Sequence, residues 1–235
     1  MRQLISFLLL ACALSAKAQQ PVGTWSVIPK AGVSVANISG AEIYYGLASE
    51  MSKVKGKYNA RFVGGVETEW QALPTTSFSL GVLYAQQGCR YSDFKGNNGT
   101  FERSDFIGFS RIREKLDYLC LPLMVNQYVA PGLAVKVGVQ PSFLCKSEVT
   151  FTTSEFEHQA DGSVNVGKTQ RSVTDTKDMR HKMDVAIPVG VSYEYLNVLL
   201  DVRYQLGLLK LYKDDQLPSE KNRAFYITVG YKFNL

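Results

Sequence analysis

The chain is poor in the residues that carry most metal and redox chemistry. It has two histidines and four cysteines in 235 residues. Cys12, Cys89, Cys120 and Cys145 are widely spaced, and neither His158 nor His181 falls at a ligand spacing to another histidine, cysteine or carboxylate. The spacing therefore signals neither a disulfide framework nor a zinc site, and no cofactor is expected. Charged residues make up 20%, and the net charge of +5 is too mild to argue for nucleic acid. Long hydrophobic runs are also missing. The most apolar stretch past the N-terminus, 116–129, contains Asp117, Asn126 and Gln127. It is shorter than the roughly 20 apolar residues that a membrane helix needs. If such a chain crosses a membrane it must do so as a closed barrel, because lipid tolerates no unpaired backbone.

Aromatics and glycine, by contrast, are plentiful: 13 Tyr, 12 Phe and 19 Gly. That mixture suits strands joined by tight turns and anchored at interfaces by rings. The N-terminus reads as an export signal spanning 1–18. Arg2 supplies the positive end, 4–14 is apolar except for Ser6, and Ala16-Lys17-Ala18 gives the small-x-small cleavage site. Leu9-Leu10-Ala11-Cys12 resembles a lipobox, but cleavage there would leave an unusually short apolar core, so cleavage after Ala18 is preferred. Taking Arg2 and Lys17 from the 26 basic residues leaves 24 against 21 acidic, a balance of +3. The three remaining cysteines read as small apolar side chains.

One domain, 19–235, follows, without an internal repeat or a low-complexity linker. It divides into eight segments of alternating apolar and small or polar residues, at about 25–38, 59–71, 76–91, 115–129, 132–146, 182–195, 197–212 and 223–235. In the last, Phe225, Ile227, Val229, Tyr231 and Phe233 share one face, while Tyr226, Thr228, Gly230 and Lys232 share the other. Alternation alone also fits a soluble sheet or a lipocalin-like barrel. Two features favour the membrane. The polar faces carry many glycines and few charges, as a narrow lumen requires. The connections also alternate in length: short after segments two, four and six, long at about 39–58, 92–114, 147–181 and 213–222. Short turns at one end and long loops at the other are how outer-membrane barrels are built. The fold expected is all-β: an eight-stranded antiparallel up-and-down transmembrane β-barrel with both termini periplasmic.

The glycines Gly32, Gly65, Gly81, Gly138, Gly190, Gly207 and Gly230 are expected to face the lumen, with bulges or breaks in pairing at Pro122, Pro141 and Pro188. Glu67, Glu69, Lys136, Asp201, Arg203 and Lys232, with Glu194, are the candidate lumen charges; they read as a satisfied network plugging the barrel rather than as a conduit. Trp70, Tyr84, Tyr128, Tyr193, Tyr204 and Tyr231 are expected to face outward as interfacial anchors. Arg111, Arg113 and Lys115 lie close together on the external side, where they could meet lipopolysaccharide phosphates. The stretch 147–180 reads as a strand extension above the membrane with its tip near Ala160-Asp161-Gly162. A Ser-His-acid set could be drawn from Ser154 or Ser172, His181 and Asp184, but nothing marks either serine as a nucleophile.

Several runs also carry a resemblance. These are Lys30-Ala31-Gly32-Val33-Ser34, the run from Ser79 to Gly88, Leu116-Asp117-Tyr118-Leu119-Cys120-Leu121-Pro122-Leu123, and Asp201-Val202-Arg203-Tyr204-Gln205-Leu206-Gly207 with the closing aromatic strand. In them the mature chain resembles the small outer-membrane β-barrel proteins of Bacteroidetes often called PorT-like. Where that family often has an acid two places before the proline, this chain has Cys120, and it lacks the family's Glu near Gly81. The resemblance implies the barrel architecture, recognition of the last strand by the barrel-assembly machinery, and, in some relatives, a role in a secretion or assembly machine. A family defined by fold says little about chemistry. The reading expected is a non-enzymatic scaffold presenting loops outside the cell, with outer-membrane lipid and lipopolysaccharide as surroundings. The alternatives are a component of secretion machinery with periplasmic partners, a lipid-modifying barrel enzyme and a narrow channel.

Overall fold

A computed structural model describes residues 20–45, 52–97, 106–158, 161, 163–214 and 219–235. Residues 1–18, expected to be an export signal, and the tip residues Ala160 and Gly162 lie outside these. Eight long strands form the molecule: β1 (Trp25–Ser39), β2 (Asn59–Leu73), β3 (Thr76–Arg90), β4 (Phe106–Cys120, resuming as Leu123–Ala130), β5 (Leu133–His158), β6 (Met183–Tyr195), β7 (Val198–Gly207) and β8 (Lys221–Tyr231). Each pairs antiparallel with the next, and β8 pairs back onto β1 from Lys30↔Gly230 to Ser39↔Lys221, so the ring closes. Phe233–Asn234, just past β8, adds the pairs Ser26↔Asn234 and Val27↔Phe233. Closure removes every free edge at membrane depth, the condition lipid imposes on strands.

The short connections are two-residue turns: Pro74-Thr75, Pro131-Gly132 and Leu196-Asn197. In the last, both φ angles are positive, 47° and 67°, the handedness that suits strand twist across a tight hairpin. The other end of the barrel is built up. Glu42–Tyr45 pairs with Ser52–Lys55, Phe94–Asn97 pairs with β4, and Val164–Asp175 pairs with the far half of β5. Strands four and five are thus longer than the alternating pattern suggested, because Phe106–Ser110 and 148–158 continue the ladder beyond the barrel. The seventh is shorter, ending at Gly207 rather than 212.

Among the three prolines, only Pro122 interrupts a strand. There Leu121 donates its N–H to the Pro141 carbonyl at 2.9 Å, and Gly81 donates to the Pro122 carbonyl at 3.0 Å, so the break is bridged. Pro141 stands opposite Val185 and Pro188 opposite Gln205 with no shift of register, so no bulge forms at either, but pairing does lapse there: Pro188 has no pair on β5 and Pro141 none on β4. Register shifts fall elsewhere: in β4 between Ser110 and Arg113, Asp117 and Tyr118, and Tyr128 and Ala130, in β2 between Gln71 and Leu73, and between Val166 and Thr169.

The outer wall is apolar, with Val135, Val137, Val139, Val189, Val191, Ile227 and Val229 exposed, and rings cluster near the short-turn end. Trp25 stacks with Trp70 at 6.1 Å and Trp70 with Phe78 at 6.3 Å. Trp70, Tyr84, Tyr193 and Tyr231 are exposed on that wall, but Tyr128 is 6% exposed and turned inward. An aromatic was read as an anchor there; its hydroxyl instead finds partners inside, which a buried tyrosine needs.

Candidate functional site: the charged lumen and the outer basic cleft

The lumen is layered. Its floor, near the short turns, is built on Lys232. The Lys232 ammonium donates to Glu69 at 2.9 Å, to Glu194 at 3.1 Å and to the Tyr128 hydroxyl at 3.2 Å. Tyr128 donates in turn to Glu69 at 2.7 Å, as does Ser77 at 3.0 Å. Four strands contribute to this knot, and only alternation along each of them points the groups inward.

One layer up, Arg203 grips Glu67 with both Nη atoms at 2.7 Å, and its Nε reaches Asp201 at 2.7 Å. Lys30 sits 2.7 Å from Glu67, and Lys136 sits 2.8 Å from Asp201. Glu67, Lys136, Asp201, Arg203 and Lys232 are each 1% exposed. The six lumen charges singled out in the sequence are therefore brought together, with Glu194 and one residue that was missed, Lys30. Its signal was present: Lys30 shares the parity of Ser26, Ile28, Gly32 and Ser34 on β1. Four cations, Lys30, Lys136, Arg203 and Lys232, meet four acids, Glu67, Glu69, Glu194 and Asp201, so the formal charges cancel. Buried charge is tolerable only when it is paired and hydrogen-bonded.

Glycine makes room for this layer. A Cβ at Gly190 would meet the Val202 carbonyl and lie 2.9 Å from Arg203, and one at Gly81 would meet the Glu67 side chain. Above the ions the lumen becomes apolar: Ile38, Val63, Leu83, Leu116, Tyr118, Leu144 and Tyr226 form one packed cluster with Ala36, Ala85 and Ala224. The alternation had suggested a small or polar inner face throughout; strands β2 to β4 turn apolar inward near their outer ends.

A third polar group closes the loop end. Arg180, fully buried, pairs with Glu114, lies 3.0 Å from the Tyr212 hydroxyl, and stacks over that ring at 4.5 Å. Glu220 is also buried there; burial raises its carboxyl above the ordinary value, and Arg180 opposes the rise. None of this was legible, because Arg180 and Glu220 come from connections that carry no alternation.

The remaining candidates separate. His181 is exposed, Ser154 pairs with Thr169 at 3.2 Å, and Asp184 faces inward to accept from Asn222 at 3.1 Å. No hydrogen bond joins the serines, His181 and Asp184, so the structure does not assemble them. Arg111 and Arg113 are exposed and Lys115 half-exposed; together with Arg171, Thr150, Phe151 and Thr152 they line a cleft of about 260 Å³ on the outer wall.

Comparison with curated proteins gives no match. Among solved structures, the chain is similar to Ail, the attachment invasion locus protein of Yersinia pestis, at 12% identity and a TM-score of 0.41, with 90% of this chain and 99% of that one covered. Its similarity to Neisserial surface protein A is 15% identity and a TM-score of 0.38, with 89% and 97% covered. The sequence model of one family, the outer membrane protein beta-barrel domain, matches residues 17–213. With that match spanning most of its length, and with its ring of eight strands, the chain belongs to the outer membrane protein beta-barrel domain family.

Proposed function

We propose that the protein is a non-enzymatic, closed outer-membrane barrel, exported by its N-terminal 18 residues, with periplasmic termini. Its work is structural and interactive: it holds the extension of β5 and the strand Val164–Asp175 outside the cell. The observation that carries this reading is the lumen. An eight-stranded barrel has an interior only wide enough for side chains. Here that interior is filled by an ion layer whose charges cancel, an apolar cluster above it, and Arg180 with Glu114 over both. A conducting path would need a continuous water-filled passage through these layers.

Planar-bilayer recording of the purified, refolded chain tests this. The expected result is no stable conductance, with none appearing in Arg203→Gln. A steady open level abolished by changing Lys136 or Arg203 would overturn the closed-barrel reading. Protease added outside intact cells should cut near Asp161 and spare an epitope at Leu235; cleavage of that epitope would overturn the orientation.

A further inference from the structure

We propose that the cleft between Arg111, Arg113, Lys115 and Arg171 is a binding site for phosphate groups, those carried on the sugar headgroup of outer-leaflet lipid. The proposal is independent of whether the lumen conducts.

The site is built by a local irregularity. The ladder between β4 and β5 shifts register between Ser110 and Arg113, and Arg111 adopts φ of 53°. A left-handed backbone costs a residue with a Cβ roughly 1–2 kcal/mol. The conformation is held by Asp93, whose Oδ1 accepts the Arg111 N–H at 3.0 Å. Its effect is to keep Ile112 and Glu114 buried while Arg111 and Arg113 are exposed outside with Lys115 beside them. Arg171 joins from the neighbouring strand, opposite Thr152, and Thr150 and Thr152 lie between. Strain held at a charged surface cleft points to a function for that cleft.

The cleft lining itself is basic, with Asp93 on the Arg111 backbone and Glu148 opposite Lys115 as the neighbouring acids. No acid lines the cleft. Glu114, on the same strand, is turned inward to Arg180. Glu148, opposite Lys115, is engaged by Lys146 at 2.7 Å, and Asp175 accepts the Lys177 N–H at 2.8 Å. Three guanidinium forks match the oxygens of a phosphate better than those of a lone carboxylate, because each fork can engage two oxygens at once; the buried Thr150 hydroxyl is turned to the Arg113 carbonyl and serves the frame.

Height selects the source. On β5 the exposed apolar run goes from Val135 to Phe143, and an outer-membrane barrel's apolar band is about 25 Å tall. With strands rising about 3.4 Å per residue at a tilt near 40°, the level of Lys115 and Glu148 lies roughly 10 Å beyond the hydrocarbon. The cleft faces sideways there, toward neighbouring lipid headgroups rather than along the barrel axis.

The test uses the full folded chain in detergent, titrated with phosphorylated lipopolysaccharide, with the same glycolipid after phosphatase treatment, and with inorganic phosphate. Wild type should bind the phosphorylated form and lose roughly tenfold or more in affinity when the phosphates are removed. Arg111→Gly, which suits the left-handed backbone, combined with Arg113→Ala should produce the same loss, whereas Lys53→Ala in another loop should not. Circular dichroism and the heat-dependent gel shift report whether the double variant still folds; Lys115→Ala with Arg171→Ala gives an independent pair. Equal binding of the phosphatase-treated glycolipid, or wild-type affinity in both pairs, would overturn the proposal. Inorganic phosphate binding as tightly as the glycolipid would overturn its assignment to lipid.

Discussion

Arg203 faces Glu67 across the lumen in a two-pronged pair, Nη1 to Oε1 and Nη2 to Oε2, both at 2.7 Å, from strands that are not neighbours. Removing one partner of such a pair leaves the other charged and dry. Arg203→Met should therefore destabilise the barrel by about 3–5 kcal/mol, toward the low end because Lys30 still reaches Glu67. Lys30→Met, which leaves the fork intact, should cost less. Urea unfolding in micelles followed by tryptophan fluorescence measures both. A loss under about 1 kcal/mol for Arg203→Met would mean that solvent reaches Glu67.

The floor of the lumen makes a smaller demand. Tyr128→Phe deletes the hydroxyl that donates to Glu69 but leaves Lys232 and Ser77 on that carboxylate. The expected cost is about 1.5–3 kcal/mol in the same assay, the range for a hydrogen bond to a charged group. An unchanged midpoint would show that Lys232 and Ser77 satisfy Glu69 by themselves.

Tyr128 also marks how far the sequence could be read. Strand existence, closure order and loop asymmetry were legible because period-2 alternation and turn spacing are local signals, and seven of the eight segments differ only at their ends. The lumen acids and bases were legible for the same reason: parity puts Glu67, Glu69, Lys136, Asp201, Arg203 and Lys232 on inner faces. Parity also placed Tyr128 inside, beside Met124 and Asn126, but its ring suggested the lipid interface. What decides between the two is a pair of partners, Glu69 and Lys232, at sequence separations of 59 and 104. Arg180 was out of reach for a further reason: it enters from a connection with no periodicity. The bulge that exposes Arg111 depends on an Asp93 side chain, which no alternation reveals.

The hairpin at Leu196-Asn197 carries avoidable strain. Leu196 has φ of 47° and is 76% exposed, so its side chain contributes little packing to offset the left-handed backbone. Leu196→Asn places at this position a residue that tolerates the conformation, and should stabilise the barrel by up to about 1 kcal/mol. The same urea titration checks it, and a destabilised variant would mean that Leu196 is anchored in the lipid interface.

Glu220 should make stability depend on pH. Burial raises its carboxyl above the ordinary 4.5, and its Oε2 has no hydrogen-bond partner. A group whose folded value is raised contributes its full stability below the unfolded value and loses it as pH climbs through the folded one. Wild type should therefore lose stability as pH rises from 4.5 through that raised value, and Glu220→Gln should flatten the loss and be the more stable at neutral pH. Identical slopes for the two proteins would show that Arg180 compensates the carboxylate fully.

The inside–outside assignment of the wall can be read from its thiols. Cys89 and Cys120 are buried within the barrel, whereas Cys145 is exposed on the outer wall two residues beyond Phe143. Parity gives the Cys145 face directly, since Phe143 faces out and Leu144 in; what parity does not give is Lys146, which also lies outside, next to the register shift between β4 and β5, before Ser147 turns in again. A small, lipid-soluble maleimide applied to the folded chain 19–235 should therefore modify Cys145 alone, as seen by peptide mass, and urea should release the other two. Cys145→Ser should abolish labelling of the folded form. Reaction at Cys120 without denaturant would place that residue on the lipid face and require β4 to slip by one residue, which would carry Tyr118 out and Asp117 into the lumen.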